Sequence, residues 1–380
     1  MPKREDAAVR LAAHYEQVLR KYGDDFDCGG DAARSSSNRM GQDFANILRG
    51  QAEARRYAQR NPLAAQICSR YADAAPGLVE RFSAGGSGRS IWRAWVEDAV
   101  LAANLCGNRR ALSAHFDRLS SVMLDLGESE LAQRLSDSAI EVGDIARDSR
   151  AVTIAVGNRA AIHVANGEFQ HAEELYRKCL EFFIAEGARR EEGITIGNLA
   201  LVEKARGSRD RAVALLREAL GIAKEQGDIE SELHWSLALG KILAGEDPNG
   251  SSECYAESLE FARIIDDSVA VVEAMLGLAE SNIASGNLAQ SIGCLEQALD
   301  LLKASPRNSR EARARWLLAV AFYKSGKCKA ARIEAHLALR LYQAVGSEAV
   351  GLVQEFLRLL EADGAESGAY ANADGPSTEV

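Results

Sequence analysis

The sequence predicts an all-α chain: a right-handed α-α superhelix of stacked helical hairpins behind an N-terminal helical cap. Two observations carry that expectation. Six small–aliphatic residue pairs recur at intervals of 40, 40, 39, 40 and 40 residues, the signature of a repeat array. Few stretches alternate apolar with polar residues as a half-buried strand requires. Composition agrees: of 380 residues, 47% are hydrophobic, 26% are charged and 6 are proline. That suits a packed helical core and argues against global disorder.

Taken in order, residues 1–107 read as the helical cap and its linker, with three or four helices before residue 90. Segment 27–40 (DCGGDAARSSSNRM) has the composition of a loop. Asn61-Pro62 supplies an N-cap and a first helical turn. Gly85-Gly86-Ser87-Gly88-Arg89-Ser90 reads as a flexible linker, with Ser90 capping a helix that starts at Ile91.

Six hairpins of about 40 residues are expected over 108–346. Segments starting at Gly127, Gly167, Gly207, Gly286 and Gly326 share the glycine, a small residue five positions on, and the small–aliphatic pair at twelve and thirteen. The pairs are Ala139-Ile140, Cys179-Leu180, Ala219-Leu220, Ser258-Leu259, Ala298-Leu299 and Ala338-Leu339. Ahead of the glycines a second helix carries Leu199-Ala200, Leu237-Ala238, Leu278-Ala279 and Leu318-Ala319. Small residues let antiparallel helices approach closely, and the aliphatic ones fill the space between hairpins. The glycine makes the turn between the first (A) and second (B) helix of a hairpin. The fourth repeat departs, with GEDPNGSS at 245–252 lengthening its turn. Residues 347–363 read as an amphipathic capping helix with Val350, Val353, Phe356 and Leu357 on one face. Residues 364–380 read as a disordered tail ending Thr378-Glu379-Val380, a short carboxyl motif common by chance.

The patterns Leu-Ala-x6-Gly and Ala-x6-Ala-Leu resemble tetratricopeptide repeats of the longer, roughly 40-residue form. Gly197-Asn198-Leu199-Ala200 and Gly157-Asn158-Arg159-Ala160 resemble the Gly-Asn-Leu-Gly opening of that form, found in bacterial regulators and kinesin light chains. A second resemblance runs from His14-Tyr15 to Gly29-Gly30, through GQAEARRYAQRNPLAAQICSRYADA from Gly50, to IWRAWVEDAVLAANLCGN from Ile91. It is similar to the helical segment that joins the nucleotide-binding core to the repeats in STAND (NB-ARC-type) signalling NTPases. The phosphate-loop pattern GxxxxGK[ST] is missing. The resemblance therefore implies a sensing or docking half without the nucleotide-binding core.

Function classes narrow accordingly. A net charge of −10, from 45 basic and 55 acidic residues, argues against nucleic acid or anionic membrane as the partner. With neither a signal-peptide core nor an apolar run of spanning length, a cytoplasmic protein is expected. The seven cysteines are widely spaced and lack a CxxC, so neither a disulfide framework nor a zinc site is expected. His163 and His171 are eight apart, but the Gly167 turn separates them, so they are not expected to pair as ligands. No GxSxG or other nucleophile signature is present. Neither catalysis nor a cofactor is expected.

In tetratricopeptide superhelices the A helices line the concave groove, and the resemblance implies that positions ten, thirteen, six and three before the turn glycine face it. The tenth position holds Asp117, Gly157, Gly197, Trp235, Leu276 and Trp316. The others contribute Glu232, Glu273 and Arg313, then Glu280, then Lys204 and Tyr323. Asn158 and Asn198 are candidates for bonding the backbone of an extended ligand. Aromatic anchors ringed by polar groups suit a peptide hot spot. The competing reading is that Trp235 and Trp316 fill gaps between repeats. The Lys/Asn clamp of tetratricopeptide co-chaperones is not reproduced. Arg310, Arg313 and Arg315 read either as an acidic-partner site or as a solvated stripe balanced by Glu311. The expected function is a noncatalytic protein- or peptide-binding scaffold. The alternatives are a ligand-responsive sensor acting on a separate effector, or an accessory subunit of a partner enzyme.

Overall fold

In a computed structural model the described residues are 2–27, 30–76, 78–79, 88–304 and 308–371. They form seventeen α-helices and no strand. The cap contributes α1 (Pro2–Asp27), α2 (Gly30–Ala58), α3 (Pro62–Ala74) and α4 (Gly88–Leu105). Helical hairpins follow as α5 (Arg109–Asp125) and α6 (Ser129–Ala146), α7 (Ser149–Ala165) and α8 (Phe169–Glu186), and α9 (Arg189–Ala205) and α10 (Arg209–Gln226). Next come α11 (Ile229–Leu243) and α12 (Pro248–Ile264), α13 (Ser268–Ala284) and α14 (Leu288–Ala304), and α15 (Asn308–Lys324) and α16 (Cys328–Ala344). The last helix is α17 (Val350–Ala371). The chain divides into two compact units, Met1–Trp235 with Ile264–Asp266, and Ser236–Arg263 with Asp267–Val380.

The turns explain the period. Most repeat helices end where one residue takes a left-handed conformation and the next chain N–H groups bond back onto the last carbonyls. Gly167 has φ 78° and Gly207 has φ 83°, values that cost glycine nothing. The same slot recurs 20 residues on from Gly127 as Arg147, φ 53°, after the first hairpin, and holds Asp266 at φ 56° after the fourth. Helices of 17 or 18 residues plus such a turn set the 40-residue repeat.

In the first unit one apolar core runs from Val9 to Ile162. Leu19, Met40, Ile47, Ile67, Tyr71 and Trp95 fill the cap, and Leu119, Met123 and Ala132 continue into the first hairpins. The cap thus covers apolar surface that an unneighboured first repeat would expose. The Tyr71 hydroxyl donates to the Ala12 carbonyl at 2.9 Å. Between helices, small residues permit close approach, and serines there satisfy themselves on the facing backbone: Ser113 Oγ donates to the Ala139 carbonyl and Ser120 Oγ to the Ala132 carbonyl, each at 2.7 Å. Cys179 packs likewise, fully buried. In the second unit, Leu276, Leu295, Ala298 and Leu318 form one core, and Ala335, Tyr342, Val353 and Leu360 another. The second joins α16 to the capping face of α17.

Three expectations change. Residues 30–40 are helical, not loop: Met40 is buried and the Ser36 hydroxyl donates to the Tyr22 carbonyl on α1. Packing overrides the weak helix preference of that serine run. Asn61 caps α3 as expected, accepting from Leu63 N at 3.0 Å and Ala64 N at 3.2 Å. Ser90, by contrast, lies inside α4, which begins at Gly88; residues 85–87 lie outside the described ones. At the other end α17 continues to Ala371, since the alanines and glutamate past 363 can propagate a helix already nucleated by packing. Residues 372–380, with the carboxyl motif, lie outside the described residues.

Three substitutions test this packing. A Cβ at Gly197 would stand 2.3 Å from the Trp235 ring, whereas Gly221, also mid-helix, faces open space. Gly197→Ala is expected to lower unfolding free energy by about 1–3 kcal/mol, and Gly221→Ala to raise it by about 1 kcal/mol. Arg147→Gly is expected to add about 1 kcal/mol by relieving the left-handed backbone. Urea midpoints with an unchanged slope are the measurement.

Candidate partner-binding face

The candidate residues fall in both units and in three kinds of environment. In the first unit Trp235 is 3% exposed. Its indole fills the space that Gly197 leaves free, and its Nε1–H is buried without an acceptor among the described residues. Glu232 is likewise buried, at 8% exposure. In the second unit Leu276 is fully buried in its core. The expectation of an exposed aromatic row therefore does not hold at Trp235 and Leu276: these two side chains pack between helices. Small and large residues complement each other between packed helices elsewhere too, as Gly240 of α11 and Gly277 of α13 do for Tyr255 of α12. A glycine 38 positions before a tryptophan is the sequence signal for such a seat.

A second set is occupied by partners within the chain. Asn158 Nδ2 donates to Asp117 Oδ1 at 2.8 Å. In the second unit Glu273 faces Arg310 at 3.1 Å, Arg313 at 3.2 Å and Lys241 at 3.6 Å. Arg313 also holds Glu280 at 2.7 Å. Burial alone would raise the Glu273 carboxyl, but Lys241, Arg313 and Arg310 outweigh it and hold the group below the usual carboxylate range. Arg315 bridges Glu311 and Glu334 at 2.9 and 3.0 Å. All three arginines of the basic run are thus engaged by carboxylates, in keeping with a balanced stripe. Trp316 is half-buried and meets the Phe356 ring edge-on at 5.1 Å, and Tyr323 meets it at 5.4 Å. The capping helix α17 therefore covers part of both.

The third set is open. Asn198 and Lys204 lie on α9, respectively one and seven residues past Gly197, so Lys204 stands two turns along from the seat of Trp235. Asn198 is half-buried and Lys204 exposed. The side chains of neither bond to another described residue.

Two further polar clusters bear on chemistry. Ser69 Oγ and His115 Nε2 are 2.9 Å apart, and Asp73 stands behind the imidazole. The Asp73 carboxylate is 3.8 Å from His115 Nδ1, beyond hydrogen-bond range, and is turned to Arg118 at 2.7 Å. Burial holds the His115 imidazole below its usual range, against the pull of Asp73. Nothing among the described residues orients Nδ1 as a nucleophile's base requires, so these residue types are present without the geometry of a triad. His163 and His171, separated by Gly167, come together across the turn with ring centroids 5.6 Å apart.

Residues 150–225 match the family model described as tetratricopeptide repeat. No curated protein matches the sequence. Solved structures do. A STAND protein with a tetratricopeptide-repeat sensor, from Pyrococcus horikoshii, is similar at TM-score 0.59 and 15% identity, over 87% of this chain and 54% of that one. The chain thus spans about half of its length. A Rap protein complexed with Competence and Sporulation Factor is similar at TM-score 0.52 and 12% identity, over 95% and 99% of the two chains. A chain in the structure of the APC/C hetero-tetramer Cut9–Hcn1 is similar at TM-score 0.55 and 12% identity, over 87% of this chain and 59% of that one. Residues 150–225 are thus matched as tetratricopeptide repeats, and the chain shares the helical-repeat fold of these structures. Among the described residues no helix is long and apolar enough to cross a membrane.

Asp117 supplies a pH test. Burial is the main cause that pushes its carboxyl from 3.8 up to about 6, against the bond from Asn158. A carboxyl with a raised native pKa contributes stability below its ordinary value and loses it as pH rises through the native one. Asp117→Asn keeps an acceptor for Asn158 without the charge. Relative to wild type it is expected to gain on the order of 1 kcal/mol between about pH 4 and about pH 7, read from denaturation midpoints at the two pH values.

Proposed function

We propose that this chain is a noncatalytic scaffold or adaptor that docks a segment of a protein or peptide partner on the A-helix face of its repeats. The observation that carries the reading is the pair Asn198 and Lys204 on α9, inside the matched repeats, whose side chains have no partner among the described residues. A carboxamide can donate to and accept from an extended backbone, and a nearby ammonium favours an acidic group in the docked segment. Trp316 and Tyr323 offer aromatic edges on the last A helix, next to Phe356. The likeness to the Cut9–Hcn1 assembly supports a role in binding protein. No nucleic acid, membrane or cofactor enters this reading, and we place the protein in the cytoplasm.

A second reading is a sensor in which a bound ligand alters affinity for a separate effector. It is favoured by one observation: the similarity to the Rap protein solved with Competence and Sporulation Factor extends over nearly all of both chains. Small changes accumulated along stacked repeats can couple such a ligand to a distant surface.

Trp235→Ala is unsuited to testing either reading, because a cavity there is expected to cost about 3–5 kcal/mol and would mimic lost binding. The test is affinity capture from native cell extract with the full chain and with Asn198→Ala/Lys204→Glu, both shown to be folded by circular dichroism. The scaffold reading expects a specific protein to be lost from the variant, with affinity for it reduced about tenfold or more. Equal capture by both chains contradicts the face proposed here. No captured protein, together with a small ligand that raises the melting temperature, selects the sensor.

A further inference from the structure

We propose that His163, Glu168 and His171 form a binding site for a divalent transition-metal ion of the zinc class. Each offers one ligand atom, and these atoms lie within 4.8 Å of one another. Zinc–nitrogen and zinc–oxygen bonds of about 2.0–2.2 Å place neighbouring ligands on a tetrahedral ion about 3.3–3.6 Å apart. Closing the site therefore takes a shift on the order of 1 Å, which exposed Glu168 and His171 can make by side-chain rotation alone.

The turn builds the cluster. His163 lies in the last turn of α7 and His171 in the first turn of α8. Gly167 reverses the chain between them at φ 78°, and the Glu168 N–H donates to the His163 carbonyl at 2.8 Å. That backbone bond fixes Glu168 beside His163, whose Nδ1 is hydrogen-bonded to Glu168 Oε2. A bound ion would take the place of that hydrogen bond between the two side chains. His163 is the least exposed of the three. It serves as the fixed ligand, while the other two close on the ion from the solvent side.

Donor chemistry sets the choice of metal. Two imidazoles and one carboxylate suit zinc, nickel, copper or cobalt. Calcium and magnesium need more oxygens than the cluster offers. Three protein ligands leave a position for water or for a side chain of a bound partner. The ion would clamp α7 to α8 and stabilise that hairpin in proportion to its occupancy. These residues are distinct from Asn198 and Lys204, so the site stands independently of the partner-binding reading.

The experiment is calorimetric titration of the tag-free full chain with zinc sulfate, on a Cys28→Ser/Cys328→Ser background that removes the thiol of Cys28 and the exposed thiol of Cys328. Cobalt(II) absorption in the visible provides the ligand-field signature of imidazole coordination. About one zinc per chain is expected. His171→Ala should weaken binding by at least about tenfold, and Glu168→Gln should weaken it too, both with unchanged helicity. Zinc should raise the melting temperature and magnesium should not. Absence of saturable one-to-one zinc binding overturns the proposal. So does equal zinc affinity in wild type and in His163→Gln/His171→Ala, which would leave the cluster as a hydrogen-bonded fastener of the turn.

Discussion

A left-handed residue about every twentieth position is the constraint on which the rest of this structure depends. It stops most repeat helices after 17 or 18 residues, returns the chain N–H groups to the last carbonyls, and sends the next helix back antiparallel. With helix length fixed, side chains at one repeat position recur at equivalent places on every hairpin. Alanine, serine and cysteine five and twelve residues past the turn then always meet a facing helix. The fourth repeat shows the constraint by its departure: Asp247 accepts from Gly250 N at 2.9 Å and caps α12, whose first residue is Pro248. A side-chain cap and a proline do there what glycine does elsewhere.

Much of this is legible in the sequence because it is local. Glycine at a turn and a small–aliphatic pair thirteen residues on are patterns of one chain segment, and Asn61-Pro62 is a cap readable from two residues. What escapes is what depends on neighbours. The serine-rich run after residue 30 has poor intrinsic helix preference, yet α1 offers it a carbonyl for Ser36, and Met40 is buried. Trp235 reads as a groove aromatic when its helix is taken alone. Only the register of α9 against α11 shows that Gly197 was the space reserved for it. His163 and His171 read as separated because a turn interrupts their helix, whereas the reversal at that turn is what brings their rings together.

The same distinction shapes the candidate face. A tetratricopeptide A helix divides its residues among its own hairpin, the neighbouring hairpin and whatever binds the remaining stripe. In the second unit the charges on that stripe neutralise one another through Glu273, Glu280, Arg310 and Arg313, and α17 lies against Trp316 and Tyr323. In the first unit, by contrast, Asp117 holds Asn158, and the side chains of Asn198 and Lys204 have no partner among the described residues. A ligand that docks at this second pair needs to break no existing ion pair, so its contacts are not offset by the loss of internal ones.

Site-directed photo-crosslinking measures this most directly. A crosslinking amino acid replaces Asn198 on the A-helix face of the full chain, and in a second version Ile184, which is 56% exposed on a B helix. With the captured partner added, the account predicts covalent product from position 198 and little from 184. Product from 184 alone would contradict it, placing recognition on the B-helix side of the repeats.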